Sequence, residues 1–297
     1  MMKNIFKGLG IALVTPFQNN GEVDFDALEQ LIEYQLSRGV DFLCVLGSTA
    51  ETPCLTNAEK SDIKNFAVDK VKGRVPILLG MGGNCTRSLV EEIKDFDFKG
   101  VDGILSVCPF YNKPSQEGIF RHYEAIAKVS KLPIVIYNVP GRTGDNIAGE
   151  TTLRIAHELD NVVAIKEASG KINQIDQILK NKPERFDVIS GDDAITYELL
   201  SIGAQGVISV VGNALPKPFG KMVHEAMKGH FDQALPIHHQ LTEFYQLLSV
   251  DGNPSGIKSL LANMNLCQNV LRLPLVPARQ ETKEALMRAL QQIPNQE

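Results

Sequence analysis

Residues 161–170 read NVVAIKEASG, and the junction in the middle of that stretch decides how the chain folds. Val162, Val163, Ala164 and Ile165 form a short apolar run of strand formers, and Lys166 and Glu167 follow without a break. A run of this kind is typical of a parallel strand covered on both faces. A lysine carried into such a setting must shed its proton or find a partner, because burying an uncompensated ammonium is costly. The stretch therefore predicts a buried strand that ends in a chemically unusual place.

Similar β-branched runs stand on both sides of it. GIALVTPF from Gly10, FLCVLGST from Phe42, VPILLGMGG from Val75, GILSVCPFYN from Gly103 and PIVIYNVPG from Pro133 precede it. DVISGDD from Asp187 and GVISVVGN from Gly206 follow. Amphipathic stretches separate them, such as FDALEQLIEYQLSRG, with Leu28, Leu31, Ile32 and Leu36 at helical spacing and Gly39 as terminator. Eight strands, each followed by a helix, imply a parallel sheet with helical crossovers, and eight is the number that closes a (β/α)8 TIM barrel. A doubly wound open sheet is the competing arrangement. After Gly212 no further strand is expected, and helices are predicted around residues 217–228, 231–249, 256–264 and 279–292. The expected organisation is a catalytic barrel over 1–215 and a C-terminal helical segment over 216–297, packed on the barrel and suited to subunit contacts.

Composition narrows the function. With 297 residues, 43% hydrophobic and 22% charged, the chain suits a globular protein with a substantial core. A net charge of -5 leaves no basic surplus for nucleic acid. No apolar run is long enough to span a bilayer, and Thr15-Pro16 interrupts the N-terminal stretch early, so a first strand is expected there rather than a signal peptide. Five scattered cysteines with no C-x-x-C pair fit neither a disulfide framework nor zinc, which favours a reducing cytoplasm. The six histidines fall in helical stretches, and no phosphate-cradling glycine motif is present, so no metal or nucleotide cofactor is expected.

In a barrel, the C-terminal strand ends converge on one mouth. Here they carry Gly47-Ser48-Thr49, Tyr111-Asn112, Tyr137-Asn138, Lys166-Glu167, Gly191-Asp192-Asp193 and Gly212-Asn213. A strand-end lysine is more often a surface or ion-paired residue. Two tyrosines on preceding strand ends shift that balance: Tyr137 can pass a proton between a lysine adduct and substrate, and Tyr111 can connect the relay to water. In a water-poor cavity burial favours the neutral amine, which is a nucleophile. Backbone N–H groups of the Gly47-Ser48-Thr49 turn could hold a carboxylate, and Arg142, just past the fifth strand, could clamp another.

These segments resemble the dihydrodipicolinate synthases, within the N-acetylneuraminate lyase superfamily of Schiff-base aldolases. The likeness runs from GIALVTPF through GSTAETPCLT, VCPFYNKPSQEG, IYNVPGRTG, AIKEASG, SGDDA and GVISVVGN to LRLPLVP. It implies that Lys166 forms an imine with pyruvate, and that Tyr137, Tyr111 and Ser48 make a proton relay. Thr49 and the adjacent backbone would bind the pyruvate carboxylate, with Gly191 and Ile208 lining that pocket. Arg142 would bind the carboxylate of L-aspartate 4-semialdehyde. A homotetramer of tight dimers, with Tyr111 reaching across the interface, is implied as well, as is a place in lysine and diaminopimelate synthesis. Two positions depart from the family pattern: Ser48 replaces the usual relay threonine, and Ala50 the usual glycine. Two other readings remain at this stage: an aldolase for N-acetylneuraminate or another 2-keto-3-deoxy sugar acid, and a non-catalytic barrel that binds a keto acid.

Overall fold

The computed structural model describes residues 2–293. Eight strands form: β1 Gly8–Ala12, β2 Phe42–Val45, β3 Ile77–Gly80, β4 Gly103–Val107, β5 Ile134–Asn138, β6 Val162–Glu167, β7 Asp187–Ser190 and β8 Gly206–Ser209. All are parallel, in sequential order, and β1 pairs with β8 to close a TIM barrel. The helices are α1 Phe25–Leu36, α2 Asn57–Val71, α3 Thr86–Asp95, α4 Gln116–Val129, the one-turn α5 Pro140–Thr143, α6 Gly149–Glu158, α7 Ile172–Asn181, α8 Thr196–Ser201, α9 Pro216–Met227, α10 Phe231–Val250, α11 Ser255–Asn263 and α12 Gln280–Gln291. The open-sheet alternative is excluded by the β1–β8 ladder.

Local chemistry accounts for the crossovers. Asp24 caps α1 by accepting from the Ala27 N–H at 3.0 Å, and Leu28, Leu31, Ile32 and Gln35 bury one face. Thr56 and Glu59 form a reciprocal capping box on α2. α9 lies against β1 and β8, α10 packs on α9, and α12 packs on α10 and α11.

Two apolar layers result. Leu9, Ile11, Leu43, Val45, Ile104, Ile136 and Ile165 face the helices. Phe6, Phe42, Cys44, Leu78, Leu105, Val135, Ile189 and Ile208 fill the barrel interior. Gly10 is required there, because a Cβ on it would sit 2.2 Å from the Phe42 ring. Each large side chain buried in this way contributes about 1.5–3 kcal/mol.

One strand breaks the alternation. Ile134 pairs with Val162 but Val135 pairs with Ala164, so β6 carries one extra residue, Val163. Val162 faces the helices, while Val163 and Ala164 both join the interior cluster. Strict alternation counted from Val162 would turn Lys166 outward and Glu167 inward; the bulge reverses both. Glu167 is accordingly fully buried on the helix side. It accepts hydrogen bonds from Asn138 Nδ2 at 2.8 Å, Ser169 Oγ at 2.6 Å and Gln174 Nε2 at 3.3 Å. Burial pushes its carboxyl above the usual range, and these donors act in the opposite direction.

Asn138 is the hinge of that arrangement, since its Oδ1 also accepts from the Ile147 N–H at 3.0 Å. Asn138→Leu would take one donor from the buried Glu167 carboxylate and leave the buried Ile147 N–H without its acceptor, at a cost of about 3 kcal/mol. Urea denaturation should detect that loss. A change below about 1 kcal/mol would contradict the role given to Asn138.

Candidate active site

The ends of β2, β5, β6, β7 and β8 and the approach to α11 enclose a cavity of about 230 Å³. Its wall includes Ser48, Thr49, Tyr137, Arg142, Lys166 and Gly191, six of the eight expected site residues. Lys166 is 5% exposed and its Nζ lies 4.4 Å from the centre of the Tyr137 ring, its partner across the β5–β6 ladder. Among the described residues no carboxylate pairs with this amine. Below it, burial pushes the Cys44 thiol up to about 11.

Gly191 lies beside the lysine for a steric reason. A Cβ there would sit 2.9 Å from Lys166 Cε and 3.0 Å from its Cγ. Ser48, Thr49 and Ala50 form a 3-10 turn after Gly47. Thr49 is buried and its Oγ1 accepts from Asn253 Nδ2 at 2.9 Å. Ala50 is also buried and is not in the left-handed region, so no glycine is needed there; the left-handed residue is Glu51, with φ 55°. Arg142 sits exposed in α5 and donates from Nη2 to the Asn253 carbonyl at 3.2 Å.

Two expected residues lie elsewhere. Ile208 is in the interior apolar cluster beneath the cavity. Tyr111 is 88% exposed, has a φ of 73°, and is not part of the wall. A second recess of about 380 Å³ shares Ser48, Tyr137 and Arg142 with the first and opens past Thr52, Lys60 and Phe110. Among the described residues no group of three or more His, Cys, Asp or Glu could hold a metal, and no helix is long and apolar enough to cross a membrane.

Sequence reasoning missed Asn253, Tyr245 and Leu248, which reach the cavity from α10 and the turn after it. The Gly252-Asn253-Pro254 break between two helices was the available signal. It also gave Asp193 no role. Asp193 Oδ2 accepts from the Val210 and Val211 N–H groups at 2.9 and 2.7 Å, tying the β7 end to the β8 end.

Burial pushes the Asp193 carboxyl up to about 6, against about 3.9 in an unfolded chain. A raised carboxyl holds its proton more tightly when folded. Its contribution to stability is therefore fully present below about pH 4 and lost as pH rises through about 6. Asp193→Asn keeps an acceptor for both amides and cannot ionise. Its stability relative to the unsubstituted chain should rise between about pH 4 and pH 7, measured by urea denaturation. The same difference at both pH values would contradict this assignment.

The comparisons with known proteins agree with this geometry. The model of the dihydrodipicolinate synthetase family matches residues 5–293. The 4-hydroxy-tetrahydrodipicolinate synthase of Parabacteroides distasonis is 58% identical over 287 residues, covering 97% of each chain. The dihydrodipicolinate synthase structure from Thermotoga maritima superposes with a TM-score of 0.95 at 42% identity, covering 97% of this chain and 98% of that one. The chloride-inhibited dihydrodipicolinate synthase from Acinetobacter baumannii, solved with pyruvate, gives 0.94 at 35% identity over 97% and 98%. A barrel mouth built around an enclosed, unpaired lysine, matched over nearly its whole length in sequence and fold, belongs to the dihydrodipicolinate synthase family.

Proposed function

We propose that the chain condenses pyruvate with L-aspartate 4-semialdehyde to give 4-hydroxy-tetrahydrodipicolinate, a lyase step in lysine and diaminopimelate synthesis. The observation that carries this reading is Lys166, enclosed in the barrel mouth against the Tyr137 ring, with no ion-pair partner among the described residues. An amine must be unprotonated to attack a carbonyl. Lys166 Nζ attacks C2 of pyruvate and water leaves, giving an imine. Loss of a C3 proton turns the imine into an enamine, whose carbon attacks the aldehyde of the second substrate. The amine of that substrate then displaces Lys166 at the imine carbon and closes the ring.

Each step moves a proton, and Tyr137, the ladder partner of Lys166 with its ring 4.4 Å from the amine, supplies the first relay hydroxyl. Ser48 serves as the second relay hydroxyl. It lacks the methyl that fixes a threonine rotamer, so its geometry is looser. Thr49 and the turn around it take the pyruvate carboxylate, and Gly191 keeps space beside the lysine. Arg142 takes the carboxylate of the semialdehyde: it spends one donor on Asn253, and a guanidinium has five. Tyr111, exposed and held in a left-handed conformation, completes the relay from a neighbouring subunit in a homotetramer of tight dimers. The chemistry needs no metal or organic cofactor. Residues 1–215 supply the reacting groups. The helical segment that begins at Pro216 packs on the barrel through α9 and lines the mouth with Tyr245 and Asn253. The cytoplasm is the fitting compartment for five unpaired thiols.

A coupled assay with both substrates tests the reading. The unsubstituted chain should consume pyruvate only when the semialdehyde is present. Arg142→Ala should lower condensation by about two orders of magnitude, the loss expected for a charged, hydrogen-bonded clamp of about 3 kcal/mol. Faster cleavage of N-acetylneuraminate than consumption of the semialdehyde would instead favour the sugar-acid aldolase.

A further inference from the structure

Glu51 and Lys258 form a fully buried ion pair, with neither side chain exposed. Lys258 Nζ donates to Glu51 Oε1 at 2.5 Å and to the Val270 carbonyl at 2.9 Å, and lies 4.1 Å from the centre of the Phe17 ring. Glu51 Oε2 accepts from the Arg272 N–H at 2.9 Å. The Arg272 guanidinium is paired with Glu59 and also donates to the Gly21 and Cys54 carbonyls. Neither Glu51 nor Lys258 lines either recess at the barrel mouth, so the pair does not face substrate there.

Energetics alone do not explain this pair. Desolvation pushes the Lys258 ammonium below its usual range, with Glu51 acting against it. Replacing a buried ion pair by apolar residues of similar volume is often neutral or stabilising. What the pair does is geometric. Glu51 is the left-handed residue between two 3-10 turns, Ser48–Ala50 and Thr52–Cys54. Its N–H donates to the Ser48 carbonyl at 3.3 Å, and its own carbonyl accepts from the Cys54 N–H at 2.8 Å. A non-glycine residue is strained in that conformation, so something must hold it there. Lys258 belongs to α11, and Asn253, just before that helix, holds Thr49. The same piece of chain thus grips the turn at two points.

We propose that Glu51 and Lys258 are positioning residues that fix the Ser48–Thr49 turn for the pyruvate carboxylate, an inference that rests on the pyruvate reading above. The pair acts through the turn and leaves Lys166 and Arg142 alone, so its loss should weaken pyruvate binding selectively.

The test is a Glu51→Gln/Lys258→Met double variant, which removes both charges and strands neither. Pyruvate is titrated against borohydride trapping at Lys166, with circular dichroism confirming the fold. The half-saturating pyruvate concentration should rise about tenfold, while trapping at saturation and the KM for the semialdehyde stay within about twofold. An unchanged half-saturation in the folded double variant would overturn the proposal. If that variant does not fold, Glu51→Asp decides instead, because it keeps both charges but withdraws the carboxylate by about 1.5 Å. It should show the same rise in half-saturating pyruvate, and an unchanged value would overturn the proposal. Absence of trapping in the unsubstituted chain would overturn the pyruvate reading, and the positioning role with it.

Discussion

One extra residue in β6 sets which of two adjacent charged side chains faces the substrate. Without the bulge at Val163, the alternation of the strand would send Glu167 into the barrel and Lys166 among the helices. With it, Lys166 enters the mouth beside Tyr137, and Glu167 turns to the helix side, where Asn138, Ser169 and Gln174 satisfy it. The two placements depend on each other. A buried carboxylate with donors on the helix side holds the strand in this register, and the alternation of adjacent residues then puts the lysine on the side of the mouth.

The fold was legible because its signals are periodic. Eight apolar runs alternate with amphipathic segments, and each run coincides with a strand; even the four late helices fall close to their expected positions. Lys166 was legible because a lysine ending an apolar run breaks the local pattern. The bulge was not, since Val162, Val163 and Ala164 are all apolar and any register looks acceptable in sequence. Ala50 read as a departure from the family pattern, yet the strained backbone belongs to its neighbour Glu51.

The roof of the site was harder to read for a different reason. Asn253 and Tyr245 lie far along the chain from the strands, among helices whose periodicity reports only which face is buried. Only the folded chain brings Asn253 to Thr49 and to Arg142, and Lys258 to Glu51. Ile208, expected to line the pyruvate pocket, lies in the interior apolar cluster and is not among the residues that line the 230 Å³ cavity. The C-terminal segment is therefore part of the site's scaffold, holding the Ser48–Thr49 turn from the side opposite the barrel.

The central claim is that Lys166 is the one amine presented to a keto acid. Pyruvate with borohydride, followed by proteolysis and mass mapping, tests it directly among the 20 lysines of the chain. A single reduced pyruvyl group on the peptide carrying Lys166, absent in Lys166→Ala, is the predicted result. Labelling at another lysine, or equal labelling in Lys166→Ala, would contradict the account.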